Sequence, residues 1–416
     1  MRVTHLSLTD FRNYESAEVE LAAGPNLFVG SNGQGKTNLV EALGYLSTLG
    51  SHRVSTDHAM IRAGQTAAIV RARLENGDRS VLAEVQLNRV GANRAQINRS
   101  AIKTRELPRY FSSVLFAPED LALVRGEPSG RRRFLDELLV LRTPRMSGVL
   151  TDYDRVLRQR NTLLKSARAS GLRGANLSTL DIWDDRLVAL GSELIEARGA
   201  LIAELLPEVR SAYAAIAGAD HAASLASYLS ILASDSDDPG PTDSDPATLA
   251  PDHLTAETAS IAFRAALARL RRAELERGIT LAGPHRDDLV LTLNNLPARG
   301  YASHGESWSF ALSLKLASAA VLRRETNSGD PVLILDDVFA ELDESRRGRL
   351  ADAVDGFEQV LITAAVRGDV PERLAAHVVR IRAGKILGTE EDAASDGGAV
   401  TAATPAINET GEGTNE

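Results

Sequence analysis

Residues 30–37 read GSNGQGKT. A short apolar run, 26–29, precedes them, and a stretch with Val40, Leu43 and Leu46 on one helical face follows. The pattern is G-x-x-x-x-G-K-[ST] between a strand and a helix (37–49), the context in which such a loop cradles phosphate. Gly30, Gly33 and Gly35 let the backbone N–H groups around Ser31, Asn32 and Gln34 converge on phosphate oxygens. Lys36 then reaches the β- and γ-phosphates, and the Thr37 hydroxyl holds Mg²⁺. The bland alternative is a glycine-rich turn opening a helix. The flanking strand and helix decide for phosphate.

Such a cradle needs an acidic wall, and residues 332–343 read VLILDDVFAELD. The unbroken apolar run at 332–335 predicts a fully buried strand ending on two carboxylates. Asp336 is the candidate Mg²⁺ ligand through the water shell that this ion keeps. Asp337 is the candidate base for an attacking water. Without the cradle, an Asp pair after a strand reads as a turn. A third stretch, from Tyr301, places Ser303, Gly305 and Glu306 just before an apolar-faced helix (307–324). A small polar residue and a glycine at a helix start make an anion site from free N–H groups. The plainer reading is an N-cap at Ser303 or Ser307.

A chain of 416 residues is too long for one ordinary core, so two or three packed units are expected. With no cysteine, disulfides, thiolate zinc sites and cysteine nucleophiles are excluded, and a reducing cytoplasm is the expected compartment. No run approaches the apolar length of a membrane span, so no membrane partner is expected. The net charge is −9, but residues 234–257 and 389–416 each hold seven acidic residues and no Lys or Arg. Setting those fourteen carboxylates aside leaves the body at +5, almost all of it from arginine, since the chain has only five lysines. Both acidic stretches are rich in Ser, Thr, Gly, Pro and Ala, as disordered segments are.

Period-two patterns at 3–8, 16–21, 67–74, 81–87 and 114–117 read as strands. From about Gly130 the period becomes 3.6, and a helical block runs over 131–277, with Pro207 expected to kink or end one helix. Strand pattern returns at 289–293, 360–363 and 378–381. The division expected is an ATPase-head half over 1–128, a helical lobe over 129–278 with an acidic loop at about 234–251, a second head half over 279–388, and an acidic tail over 389–416.

Cradle, Asp-Asp strand, AELD turn and SHGE helix start, in that order, resemble the head of ABC-type ATPases. About 150 inserted helical residues are too many for a transporter-type head and too few for an SMC-type coiled coil. They resemble RecF, the family of bacterial recombination-mediator ATPases. LSLTDFRNY (6–14), SHR (51–53), LFAPEDLALVRGEPSGRRRFLD (115–136), RVLRQRN (155–161) and GPHRDDL (283–289) carry the same likeness. The resemblance implies an α/β fold: a head with a parallel core sheet, split by a mainly helical lobe. It implies an ATP-dependent homodimer in which Ser303, Gly305 and Glu306 of one copy close over the ATP of the other. It implies Arg12 and Asn13 beside the nucleotide, a DNA clamp with slow, DNA-stimulated hydrolysis, and RecO and RecR as partners. The implied role is repair of gapped DNA, recombination, replication maintenance and SOS induction.

Several positions depart from the ABC pattern. Asp337 stands where Glu is usual and Glu306 where Gln is usual. Thr363 sits where a switch histidine would follow its strand, and the segment after 114–117 offers Glu119 and Asp120 but no glutamine. Residues 131–173 hold eleven basic and four acidic residues, a candidate DNA surface or an arginine-rich solvated helix face. His285, Arg286, Asp287 and Asp288 read as a hairpin entry with an ion pair. A nucleotide-binding protein scaffold with incidental DNA contact, and a motor or transporter ATPase, are the alternatives. A steep fall of DNA affinity with salt separates a clamp from the scaffold, and the lack of a membrane span counts against the transporter.

Overall fold

The computed structural model describes residues 1–169, 178–219, 221–233, 254–325 and 329–389. The acidic loop at 234–251 and the tail from 390 onward lie outside the described residues. The chain opens with a hairpin of β1 (Arg2–Phe11) and β2 (Tyr14–Glu20), then β3 (Gly24–Val29) leads into α1 (Lys36–Thr48). Next, β4 (Ala67–Asn76), β5 (Arg79–Asn88), β6 (Arg94–Ile97) and β7 (Ser100–Ile102) extend the hairpin into an antiparallel sheet of order β2-β1-β4-β5-β6-β7. Alternation decides its inner face: Ala68, Val70, Ala72 and Leu74 of β4 and Ala83, Val85 and Leu87 of β5 are buried. They share one core with Leu39, Val40, Leu43 and Leu46 of α1.

After β8 (Ser113–Phe116) come α2 (Ala122–Arg125), α3 (Pro128–Arg142), α4 (Met146–Ala169) and α5 (Ser178–Ala217). A short strand β9 (Ser224–Tyr228) and α6 (Ala256–Arg277) follow, then the hairpin of β10 (Asp288–Leu293) and β11 (Leu296–Pro297). The chain continues through α7 (Ala298–Tyr301), α8 (His304–Glu325), β12 (Val332–Asp336), α9 (Glu344–Val354), β13 (Gln359–Ala364), β14 (His377–Arg382) and β15 (Lys385–Thr389). The central sheet has the order β15-β14-β3-β13-β12-β8. Its pairs are parallel except β14 with β15. Leu333, Leu335, Val360 and Ile362 point into a core shared with α5 and α8, whereas Ile334 and Leu361 point into the core of α1. Both faces are covered, which is why these strands read as unbroken apolar runs.

Three expectations are corrected. First, the block at 131–277 is not wholly helical, because β9 lies inside it and pairs antiparallel with β10, Leu225 opposite Leu291. Its pairing partner lies some sixty residues on, so no local hairpin signal marks it. Second, Pro207 ends nothing: α5 runs through it for 40 residues. A mid-helix proline costs roughly 3 kcal/mol. Leu201, Ile202, Leu205 and Val209 are all buried around it, and each contributes about 1.5–3 kcal/mol. Packing wins. Third, the helix after the SHGE stretch begins at His304, a turn before the expected 307.

The joint between the helices and the head is polar and buried. Arg131 makes two bonds to Asp288, at 2.8 and 2.7 Å. Arg132 donates to the Asp287 carbonyl at 2.7 Å, and Arg198 to the Pro284 carbonyl at 2.7 Å. Tyr153 meets His285 at 2.8 Å. The HRDD stretch is thus the hairpin entry with an ion pair. Breaking one partner of such a buried pair costs about 3–5 kcal/mol.

Candidate nucleotide and metal site

Register places three strand ends side by side. Asp336 of β12 lies opposite Thr363 of β13, and Ala364 of β13 opposite Val29 of β3. The loop after β3 and the carboxylates of β12 therefore meet across β13 at the carboxyl edge of the sheet, where α/β proteins bind ligands.

In the loop, Gly35 has φ 115°, and a Cβ there would lie 2.6 Å from the Tyr14 hydroxyl. A Cβ on Gly30 would lie 2.3 Å from the Ile381 carbonyl oxygen. Neither position has room for a side chain. Gln34 is tethered from two sides: its carbonyl accepts from Gly384 N at 3.1 Å and from Asn13 Nδ2 at 3.2 Å, and its side chain accepts from Ala383 N. Helix α1 starts with no side-chain cap and no acid in its first turn. Its N–H groups and the positive end of its dipole are left for an anion. Lys36 is buried, with Nζ 3.5 Å from the Ser31 carbonyl and 4.0 Å from Asp337 Oδ1.

Asp336 is also buried. Its Oδ1 accepts from Thr37 Oγ1 at 3.0 Å and from Thr363 Oγ1 at 2.6 Å, and Thr363 Oγ1 accepts from Asp337 N at 2.8 Å. Burial pushes the Asp336 carboxyl up to about 6, with the Thr363 and Thr37 bonds pulling down and the Asp337 and Glu119 charges pushing further up. A buried carboxylate in that condition lacks a countercharge, and a hydroxyl beside a carboxylate is a hard-oxygen donor set. Both properties fit Mg²⁺. Among the described residues no three of His, Cys, Asp and Glu gather into a full cage. An ion here would keep water and phosphate among its ligands, as Mg²⁺ does. Asp337 stands at φ 53°, the left-handed region a non-glycine residue rarely takes, and its carboxylate faces the lysine.

Arg12 is turned toward α1, donating from Nε to Glu41 Oε2 at 2.8 Å and from Nη1 to the Ala59 carbonyl at 2.9 Å. Burial alone would raise the Glu41 carboxyl, but bonds from Arg12 and Ser51 and the arginine's charge bring it below its ordinary value. Asn13 takes a bond from Asn38 at 2.7 Å. Arg12, Asn13, Asn38, Arg53 and Arg89, with the apolar Ala59 and Ile61, line an open cavity of about 920 Å³ near the loop.

Ser303, Gly305 and Glu306 are not brought to this site. Ser303 N donates to Glu306 Oε2 at 2.8 Å and Glu306 N to Ser303 Oγ at 3.2 Å, a reciprocal cap on α8. Glu306 lies 3.4 Å from His221, and a Cβ on Gly305 would lie 2.6 Å from Arg346 Nη1. The bonds from Ser303 hold the Glu306 carboxyl below its usual range. Hence the two helix starts differ: α1 is bare, α8 carries its own anion.

Sequence reading missed three contributors. Thr363 stood out only as the occupant of an expected histidine position. Its hydroxyl donates to the Asp336 carboxylate and accepts from the Asp337 backbone N–H. Glu41 gave no motif, and His52 stood within the SHR stretch (51–53) with no role attached, since their relevance comes from the ends of separate elements meeting in space.

The basic stretch at 131–173 looks different in three dimensions. Of its eleven basic residues, Arg131, Arg133, Arg142, Arg145, Arg155, Arg158 and Arg160 are in ion pairs with carboxylates. Arg173 lies outside the described residues. No helix among the described residues is long and apolar enough to cross a membrane.

Residues 2–384 match the family model described as the RecF/RecN/SMC N terminal domain. The chain is 67% identical over 390 residues to the DNA replication and repair protein RecF of Clavibacter sepedonicus, covering 93% of this chain and 95% of that one. It is 65% identical over 407 residues to the DNA replication and repair protein RecF of Clavibacter michiganensis subsp. michiganensis, covering 96% and 100%. Among solved structures it superposes on the recombination mediator protein RecF-ATPrS in the RecFOR pathway with a TM-score of 0.80, 26% identity, and coverage of 92% and 97%. An SMC head bound to the C-winged helix domain of ScpA matches with a TM-score of 0.52 at 14% identity, a likeness of fold. With the glycine-rich loop after β3, the carboxylate-ended strand β12 and the inserted helical lobe all in place, the chain belongs to the RecF family.

Proposed function

We propose that the protein binds ATP with Mg²⁺ in the loop at 30–37, joins a second copy through that nucleotide, and closes on DNA as a slowly hydrolysing clamp. Thr37 and Asp336 hold the ion, Lys36 meets the β- and γ-phosphates, and Asp337 orients the attacking water. The bound ion supplies neutralisation of phosphate charge. Arg12, Asn13 and the cavity beside them take the rest of the nucleotide. The observation that carries the reading is the contrast between helix starts: Thr37, Asp336, Thr363 and Lys36 are assembled at a bare α1, while Ser303 and Gly305 lie apart. The site therefore takes its last wall from another copy. ATP shifts the population toward the dimer because the dimer binds it more tightly.

The biological role in this reading is repair of gapped DNA, recombination, replication maintenance and SOS induction, with RecO and RecR as partners. Its support is family membership and the RecFOR-pathway description of the solved relative. Phosphate binding falls to basic residues that have no carboxylate to satisfy them. Arg94, Arg99, Lys103, Arg105 and Arg109, along β6, β7 and the turn after them, enter no ion pair with a carboxylate among the described residues, and only Glu106 opposes them in that stretch. Molecular mass in solution with ATP, with ADP and with neither, each with and without DNA, tests the reading. ATP-dependent doubling supports it; a single particle mass at every ATP concentration sinks it. Reversing Arg94 and Arg99 to Glu lowers DNA affinity and flattens its salt dependence, by about one unit of slope for each phosphate that the protein no longer neutralises.

A further inference from the structure

We infer that His52 is a positioning residue for the Mg²⁺ of this site, its Nε2 accepting a hydrogen bond from a water in the ion's shell. The inference rests on the nucleotide reading above and deepens it.

His52 is on a built loop. Ser51 Oγ donates to Glu41 Oε1, which Arg12 pins from the other side. The same Oγ accepts from Arg53 N at 2.9 Å and Val54 N at 3.1 Å, and the Ser51 carbonyl accepts from Arg133 at 3.3 Å. The backbone on both sides of His52 is thereby fixed. The ring projects toward Asp336, with Nε2 3.9 Å from Oδ2. That separation is too long for a hydrogen bond. Nε2 is buried and has no hydrogen-bond partner among the described residues. Buried polar atoms in folded proteins are nearly always satisfied, by protein or by ordered solvent.

The chemistry of the gap is specific. Asp336 Oδ1 already takes two hydroxyls, so Oδ2 is the oxygen left for an ion. A water whose lone pair is on a metal can only donate, and its outer partner must be an acceptor. Arg133 and Lys315, which line the adjoining cavity of about 230 Å³, cannot accept. Asp120 there is engaged by Lys315 at 2.9 Å and by Ala117 N at 2.9 Å. His52 and Glu119 remain. Of these, His52 is the one whose ring nitrogen faces Oδ2, and a ring nitrogen without a proton accepts. A neutral ring offers one bare nitrogen. The stretch after β8 holds no glutamine, whose carbonyl oxygen would do the same work.

The test uses the full chain, a fluorescent non-hydrolysable ATP analogue, and a Mg²⁺ titration from EDTA. Outer-shell partners of metal sites are each worth about 10–100-fold in metal affinity. His52→Ala is expected to raise the half-saturating Mg²⁺ by that factor, with analogue binding in EDTA unchanged. His52→Gln, which returns an acceptor near the Nε2 position, restores most of it. A His52→Ala protein that titrates like the wild type overturns the inference. So does a His52→Gln protein as weak as His52→Ala, since packing and not acceptance would then be the cause. Wild-type protein that binds no analogue, like a Lys36→Ala control, removes the nucleotide reading itself.

Discussion

Replacing Glu306 by Gln should tighten the ATP-dependent dimer. In the free chain the Glu306 carboxylate accepts from Ser303 N and sits over the start of α8, where an anion would otherwise take the free N–H groups. In the proposed shared site a γ-phosphate from the partner's nucleotide would approach that same end, and two negative charges would compete for one set of donors. At about 5 Å, two unit charges repel by roughly 1 kcal/mol at the dielectric of water and about 3 kcal/mol at an effective value near 20. Glu306 is about a third exposed, so the lower figure applies. A two-fold dimer holds this pair of charges twice, giving about 2 kcal/mol and about thirtyfold in the dimer dissociation constant. Gln completes a capping box as Glu does, so α8 keeps its start and the comparison isolates charge. Sedimentation equilibrium in the non-hydrolysable analogue measures the constant, and the gain should shrink as salt rises. A Glu306→Gln dimer no tighter than wild type, at low salt and with the fold intact, refutes the competition argument.

Asp337→Asn should bind ATP yet persist as a dimer long after the wild type has come apart; steady phosphate release at the wild-type rate would remove Asp337 from its assigned role. Gly35→Ala should lose nucleotide binding while keeping the fold, because its Cβ strikes the Tyr14 hydroxyl at 2.6 Å in a backbone state that disfavours side chains; equilibrium binding of the analogue checks this. Asp287 gives a pH signature. Burial pushes its carboxyl up to about 6, against bonds from Ser230. A raised carboxyl favours the protonated fold, so its contribution is fully present below the unfolded value near 4 and is lost as pH climbs through about 6. The shift of about two units corresponds to roughly 3 kcal/mol. Asp287→Asn should therefore gain melting temperature over wild type at pH 7.5 and not at pH 4, and equal differences at both would contradict the linkage.

How much of the fold and site is legible in the sequence follows the range of the signals. Strand β3, the loop and α1 are adjacent in the chain, and glycine spacing plus period change marks them. The two-faced burial of β12 is likewise written in Val332–Asp336 as an apolar run ending in acid. The hairpin joining β6 and β7 escapes because its turn is Asn98-Arg99, both at positive φ, without the glycine that usually announces such a turn. Thr363 and His52 escape for another reason. Neither shows its role within its own segment, though His52 stands in the SHR stretch, and register across β13 or a pinned loop gives it a partner about 27 or 280 residues away in sequence.

Charge is the property that sequence conveys least faithfully here. Counting makes 131–173 the most basic stretch, yet position converts much of that count into structure. Arg160 is fully buried between Asp184 and Glu274, and Arg131 is spent on Asp288. Removing such an arginine would unfold the lobe before it told anything about DNA, since an unpaired buried carboxylate costs more than one exposed arginine–phosphate pair contributes. Arg155 and Arg158 pair only with neighbours one turn away and remain largely exposed, so a phosphate could replace those carboxylates at little cost. A helical-lobe contribution to DNA binding would thus run through Arg155 and Arg158, joining the unpaired cations of β6 and β7. Substituting that exposed pair, leaving Arg131 and Arg160 alone, separates electrostatic grip from lobe stability: affinity should fall while the melting temperature holds.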